Sequence, residues 1–271
     1  MTIHGLDWQR SKWGGFAEKY LKFGEILAAK YADEIIVLSK NVQEYFKKEY
    51  NRETVFIPNG IFIPEKKNVS IIKKRWQLAK QNYILYLGRI VPEKGIDYLI
   101  EAYKEIDTDI KLVIAGGASD TDEYMARLQN KASVDNRIIF TGFVQGRDLE
   151  ELYSNAYLYV LPSDLDGMPI SLLEAMSYGN CCLVSDIPEC TEVVEDKAFH
   201  FKKSDSLDLR EKLQWLINNK ETVEKYREKA CEFICSKYNW DEIVKETEEL
   251  YFKAKYSNVR KRYESQRSMG R

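Results

Sequence analysis

Two carboxylates, two cations and a set of glycines stand out in this sequence by their spacing. Asp166 and Glu174 are seven residues apart in Ser163-Asp164-Leu165-Asp166-Gly167-Met168-Pro169-Ile170-Ser171-Leu172-Leu173-Glu174-Ala175-Met176-Ser177-Tyr178-Gly179. The apolar run 157–161 before it reads as a buried strand, and Pro169 and Gly179 suit the first position and the left-handed end of a helix. Asp166 then lies in the loop beyond a strand, Glu174 lies inside the helix, and the helix N-terminus opens between them. Free N–H groups and the positive end of a helix dipole attract phosphate. Carboxylates flanking such an anion site suit the hydroxyls of a sugar and a ribose. The stretch therefore describes a nucleotide-sugar site.

A second loop carries the complementary charge. Gly88-Arg89-Ile90-Val91-Pro92-Glu93-Lys94-Gly95 follows the apolar run 83–87. Arg89 offers a planar fork and Lys94 a point charge, both suited to a diphosphate, and Gly88 and Gly95 let the backbone turn tightly; ion pairing with Glu93 is the blander alternative. Ala115-Gly116-Gly117 fits either a close backbone approach or a plain turn, since it lacks the full dinucleotide fingerprint. Thr141-Gly142-Phe143-Val144 fits a base pocket lined by Phe143 and Val144, or a turn. Asp164-Leu165-Asp166 matches a D-x-D metal pattern, but Arg89 and Lys94 already supply positive charge, so neither a metal nor another cofactor is expected. His4, with Asp7 and Arg10 nearby, is open to an active-site role or a structural one.

The elements that must position these residues follow from periodicity. Apolar strands expected at 55–57, 83–87, 111–115, 137–140, 157–161 and 182–185 alternate with helices near 70–79, 95–105, 120–133, 147–155 and 169–178. Continuous apolar strands separated by helices mean a parallel sheet covered on both faces, an α/β doubly wound domain whose ligands sit beyond the carboxyl ends of the strands. Ahead of it come an irregular opening, a helix over 15–31, a strand over 35–38 and a helix over 40–50, too little to bury both faces of one strand. Helices expected over 206–219, 221–237 and 239–257 end the chain. A basic run from Lys253 to Arg271 follows Tyr251, consistent with attraction to a membrane surface or with a solvated terminus.

Bulk properties narrow the class. The 271 residues are 44% hydrophobic, enough for a sizeable core, and carry a net charge of −2, which argues against nucleic-acid binding. No run is long and apolar enough to span a bilayer, and no signal-like leader opens the chain. The five cysteines are odd in number and two are adjacent, so a disulfide framework is not expected; Cys231 and Cys235 fit structural thiols or half of a metal site. A reducing cytoplasm fits this usage.

The sequence resembles the retaining group-1 (family four) glycosyltransferases of GT-B architecture. The resemblance runs in order through Ala32-Asp33-Glu34-Ile35-Ile36-Val37-Leu38-Ser39, Ile57-Pro58-Asn59-Gly60, Gly88-Arg89 through Lys94-Gly95, Gly142-Phe143-Val144, Asp166 through Gly179 and Tyr238-Asn239-Trp240-Asp241. It implies that Arg89 and Lys94 hold the diphosphate, that Asp166 contacts the donor sugar and that Glu174 takes the ribose hydroxyls. Gly167 and Met168 would add backbone N–H groups, with Gly88 and Pro169 lining the same site. The family pattern has Glu where Asp166 stands, so the reach is shorter by about 1.5 Å of chain. The opening His4-Gly5-Leu6-Asp7-Trp8-Gln9-Arg10-Ser11-Lys12-Trp13 resembles a subgroup of bacterial capsule and cell-wall rhamnosyltransferases, with His4 at the interdomain cleft.

From this likeness the expected activity is metal-independent hexosyl transfer with retention in surface polysaccharide synthesis. The donor is a dTDP-, UDP- or GDP-sugar, best dTDP-rhamnose, and the acceptor a lipid-linked saccharide or polysaccharide. The expected place is the cytoplasm, with peripheral contact at the inner face of the plasma membrane. The expected organisation is a remnant of an N-terminal acceptor-side domain over 1–52, a complete Rossmann-like donor domain over 53–238, and a C-terminal helix with a basic tail over 239–271. About a hundred residues of the first domain, most of an ordinary domain, are expected to be missing. The alternative expectation is a donor-binding module that needs a partner chain for activity.

Overall fold

The computed structural model describes residues 1–9, 14–119 and 121–269. Arg10 to Trp13 of the opening motif and Arg271 of the basic tail lie outside the described residues. The chain divides into two compact units, one of Met1–Gly60 with Tyr238–Arg271 and one of Ile61–Lys237.

The first unit is a small parallel sheet with helices. Its elements are β1 (Thr2–Ile3), α1 (Gly15–Tyr31), β2 (Ile36–Val37), α2 (Lys40–Tyr50) and β3 (Val55–Phe56). The strands pair in the order β1-β2-β3, with Thr2 opposite Ile36 and Ile36 opposite Val55. Ser39 caps α2 by accepting from the Val42 N–H at 3.3 Å, and Asn51 ends it in the left-handed conformation. A cluster of Ala29, Ile35, Val37, Val42 and Phe46 forms the core. One face of α1 serves this core through Ala28 and Ala29, while Phe16, Tyr20, Phe23, Leu27 and Tyr31, at helical spacing, stay exposed.

The second unit holds the larger sheet. In chain order its elements are α3 (Ile71–Trp76), β4 (Tyr83–Leu87), α4 (Ile96–Lys104), β5 (Lys111–Ala115), α5 (Asp122–Ala132), β6 (Ile138–Gly142), α6 (Arg147–Asn155) and β7 (Leu158–Leu161). Then follow α7 (Ile170–Ser177), β8 (Cys182–Ser185), α8 (Pro188–Val194), β9 (Phe199–Phe201), α9 (Ser206–Asn218) and α10 (Lys220–Lys237). All six strands are parallel, in the order β6-β5-β4-β7-β8-β9. The direction of winding reverses between β4 and β7, which is where doubly wound sheets take their ligands. Residues 83–86 and 158–161 of these two central strands are fully buried, so the sheet is covered on both faces. A final helix, α11 (Trp240–Met269), belongs to the first unit.

The expected doubly wound α/β architecture is present, with differences in its parts; the helix expected over 70–79 stops at Trp76 and the one expected over 239–257 runs Trp240–Met269. The strand at 55–57, expected to open the larger domain, joins the small sheet instead: the Val55 N–H donates to Ile35 O at 2.8 Å and the Ile57 N–H to Val37 O at 3.1 Å. A short apolar run fits any parallel sheet, and the partner is fixed by tertiary pairing. In the larger unit α8 and the edge strand β9 were not anticipated, nor was β1 in the opening that was expected to be irregular, and β1 and β9 are too short for a period to be read from them.

One long-range contact holds the first helix of this unit. Ser70 precedes α3 but gives it no side-chain cap. The carboxylate of Glu151, on α6 and fully buried, replaces it: Oε2 accepts from the N–H groups of Ser70, Ile71 and Ile72 at 2.8, 2.8 and 3.3 Å. Arg147 Nε donates to its other oxygen at 2.9 Å.

Candidate active site

The loop after β4 is built to approach the loop after β7. Pro92–Lys94 form a single 3-10 turn, and Gly95 ends it at φ 64° while opening α4. A Cβ at Gly95 would lie 2.0 Å from the Pro162 carbonyl oxygen, so both the backbone angle and the space demand glycine. Beyond Pro162 the Asp164 N–H donates to the Glu93 carbonyl at 2.9 Å. The two loops are thus joined by backbone before any side chain is considered.

This joint brings Lys94 and Asp166 together. Lys94 Nζ donates to Asp166 Oδ2 as an ion pair whose side chains are 11% and 12% exposed. The second oxygen, Oδ1, accepts from the Gly167 N–H at 3.1 Å. Lys94 and Asp166, expected at the diphosphate and at the sugar, are therefore direct partners. The Gly167 N–H, expected to serve the ligand, is turned to Asp166.

Arg89 stands apart from this pair. Its side chain is exposed and in no ion pair among the described residues, while its carbonyl accepts from the buried Tyr86 hydroxyl at 2.8 Å. Gly88 packs on the next strand's loop: its N–H donates to Ala115 O at 3.0 Å, and a Cβ at Gly116 would fall 1.8 Å from Gly88 O. Ala115-Gly116-Gly117 is therefore a site of close backbone approach. At the following strand Phe143 is 75% exposed and Val144 is buried. A Cβ at Gly117 would meet the Phe143 Cβ at 3.7 Å, so the two loops run side by side.

The helix α7 carries the remaining carboxylate. Gly179 follows it at φ 76°, as the sequence suggests, whereas Pro169, expected at the first helical position, is the extended residue just before Ile170 opens the helix. The first N–H groups of a helix have no acceptor within it and are open to a ligand. Burial pushes the Glu174 carboxyl above the usual carboxylate range, and the Tyr153 hydroxyl, donating to Oε2 at 2.9 Å, opposes that shift. Tyr153 is itself held by stacking on Tyr178, ring centroids 5.4 Å apart. Tyr159, in the centre of β7, reaches Ser171 Oγ at 2.9 Å and Leu87 O at 3.2 Å, tying the start of α7 to the end of β4.

The two aspartates of the D-x-D pattern are engaged by protein side chains. Asp164 accepts from the hydroxyls of Tyr98 and Ser204, each at 2.7 Å, while Asp166 faces Lys94. The two carboxylates have different partners, and no group of three His, Cys, Asp or Glu able to hold a metal occurs among the described residues. Burial pushes the Cys181 thiol up to about 12 and the Cys182 and Cys190 thiols well above their ordinary value, which leaves them without nucleophilic thiolate. His4 belongs to the first unit, where it follows β1 with its side chain exposed.

The supporting hydroxyls of Tyr86, Tyr98, Tyr153, Tyr159 and Ser204 were not anticipated from the sequence. In Tyr86 and Tyr159 the only signal is a polar tip within an otherwise apolar run.

Comparison with known proteins shows the family of the chain. Residues 68–233 match the family described as glycosyl transferases group 1, and residues 1–62 match a domain of unknown function (DUF1972). An uncharacterized glycosyltransferase of Methanocaldococcus jannaschii is 30% identical over 84% of this chain and 62% of its own length. The Escherichia coli UDP-Gal:alpha-D-GlcNAc-diphosphoundecaprenol alpha-1,3-galactosyltransferase is 29% identical over 69% of this chain and 51% of its own. Among solved structures, the Anabaena protein HepE in complex with UDP and glucose superposes with a TM-score of 0.83 at 19% identity, covering 93% of this chain and 71% of that one. The chain thus spans about three-fifths of the length of the M. jannaschii relative, 62%.

Proposed function

The chain belongs to the group 1 glycosyltransferases, and from that membership we propose that residues 61–237 bind a nucleotide-sugar donor, with residues 1–60 on the acceptor side. The observation that carries this reading is the meeting of Lys94, Asp166 and the start of α7 where the sheet reverses its winding. Arg89 and Lys94 hold the diphosphate, Glu174 accepts from the ribose hydroxyls, Asp166 accepts from the hexose, and Phe143 and Val144 border the base. Gly88, Gly167, Met168 and Pro169 belong to the same donor site, and His4 is assigned to the acceptor.

In this account the glycosyl bond to the nucleotide breaks while a new one forms to an acceptor oxygen, with retention. Negative charge grows on the departing diphosphate. Cations and helix N–H groups already in place stabilise that charge without reorganising, which lowers the barrier. The donor is a dTDP-, UDP- or GDP-hexose, best dTDP-rhamnose, and the acceptor a lipid-linked saccharide at the inner face of the plasma membrane. Two findings support the chemistry: HepE is complexed with UDP and glucose, and the E. coli relative is named for a diphosphoundecaprenol acceptor. No described helix is long and apolar enough to cross a membrane.

The test is release of nucleoside diphosphate from the sugar nucleotide with and without Arg89→Ala. Loss of one charge-stabilising donor lowers turnover by about a hundredfold or more; unchanged turnover removes Arg89 from the mechanism. A second reading is a donor-binding module active only with a partner chain, since the glycosyltransferase family match falls on residues 68–233. Calorimetry with dTDP, UDP and GDP beside the activity assay separates the two, since binding without turnover selects the module.

A further inference from the structure

The Lys94–Asp166 pair joins groups that the reading above, on which this inference rests, assigns to different parts of the donor, the diphosphate and the hexose. Both side chains are close to nine-tenths buried. Neither can withdraw by a simple backbone shift, because Gly95 sits against Pro162 and the Asp164 N–H holds the Glu93 carbonyl at 2.9 Å. The single positive charge of Lys94 already neutralises Asp166. A diphosphate entering beside Arg89 therefore competes with an internal anion for the same cation, and it approaches a carboxylate of its own sign.

We propose that this pair makes the site discriminate against its own product. A nucleoside diphosphate draws Lys94 from Asp166 and leaves the carboxylate, among the described residues, with the Gly167 N–H, 3.1 Å from Oδ1. A buried carboxylate short of partners is costly, and the cost falls on the affinity for the ligand that caused it. An intact sugar nucleotide supplies the replacement: hexose hydroxyls donate to Asp166 as Lys94 turns to the phosphates. The exchange of partners is complete only while the sugar is attached. When the glycosyl group leaves, Asp166 again claims Lys94 and helps to expel the nucleoside diphosphate.

The two ligands then respond to Asp166→Asn in opposite directions. Calorimetry identifies which of UDP, dTDP and GDP binds the wild type most tightly; that nucleotide and its hexose conjugate are titrated into both proteins. The expected result is a nucleoside diphosphate bound roughly fivefold or more tighter by the variant, the lower end of ordinary site-to-site coupling, with the conjugate bound weaker by a similar factor. A variant that binds the nucleoside diphosphate no more tightly than the wild type overturns the proposal. Asp166→Glu, which keeps the charge, serves if the amide variant does not fold: it keeps wild-type affinity for the nucleoside diphosphate within about twofold, and a larger rise there also overturns the proposal. Failure of the wild type to bind all three nucleotides refutes the donor-site reading itself and this inference with it.

Discussion

Glu174 shows what one buried carboxyl contributes. Its folded-state pKa is raised by burial, against the opposing hydrogen bond from Tyr153. A raised carboxyl favours the folded state below its unfolded value and loses that contribution as pH rises through the folded value, so at neutral pH its charge is a net cost to folding. Glu174→Gln accordingly raises the thermal midpoint at pH 7 and flattens the dependence of stability on pH above the unfolded carboxyl value. In the same variant nucleotide affinity falls by about ten- to a hundredfold, the worth of a hydrogen bond to a charged group. Thermal melts across pH, with calorimetry, check both signs. The charged residues proposed for this site stand out in the sequence because Arg89, Lys94 and Asp166 lie in loops that follow strands and Glu174 lies in the helix after Asp166. What could not be read was that Lys94 and Asp166 face each other, for their 72-residue separation is closed only by the pairing of β4 with β7. Tyr153 was hidden for a related reason: on α6 its ring reads as core, and its hydroxyl has meaning only once α7 lies beside it.

At the scale of elements, Glu151 governs α3. Burial pushes its carboxyl up, but Arg147 and the N–H groups of Ser70, Ile72 and Ile71 outweigh this and hold it below the usual carboxylate range. A depressed carboxyl stabilises above its unfolded value, and that contribution is lost as pH falls through the folded value. Glu151→Ala strips three N–H groups and a guanidinium of their acceptor and costs about 3 kcal/mol at neutral pH, measured by denaturant unfolding. The cost diminishes in acid, where the wild type has lost the same charge. Elements with a strong period or a clear terminus were readable, α1 and α6 to the residue. Those set by distant pairing were not: β3 carries a run that fits either sheet, and β9, Phe199-His200-Phe201, is long enough to form an edge but too short to announce one.

Across the whole molecule the two units differ in what they offer a ligand. The proposed donor contacts all lie in residues 61–237, so nucleotide binding should stabilise that unit selectively. At about a hundredfold excess over Kd the gain is about 2.7 kcal/mol, or roughly a hundredfold slowing of its most protected amides in hydrogen exchange. The amides of β1, β2 and β3 keep their rates. Equal slowing in both units would show instead that they open as one. The cap on α3 sets a further condition, on the order in which the chain takes shape. Ser70 to Ile72 leave the ribosome roughly 80 residues before the carboxylate that completes their helix. At about 5–20 residues per second that interval is on the order of 4 to 16 s. Throughout it the start of α3 has no lasting partner. The donor-side sheet is therefore expected to consolidate only after α6 has emerged, and a pause in translation before residue 151 would lengthen the exposure of its apolar strands to aggregation and chaperone capture.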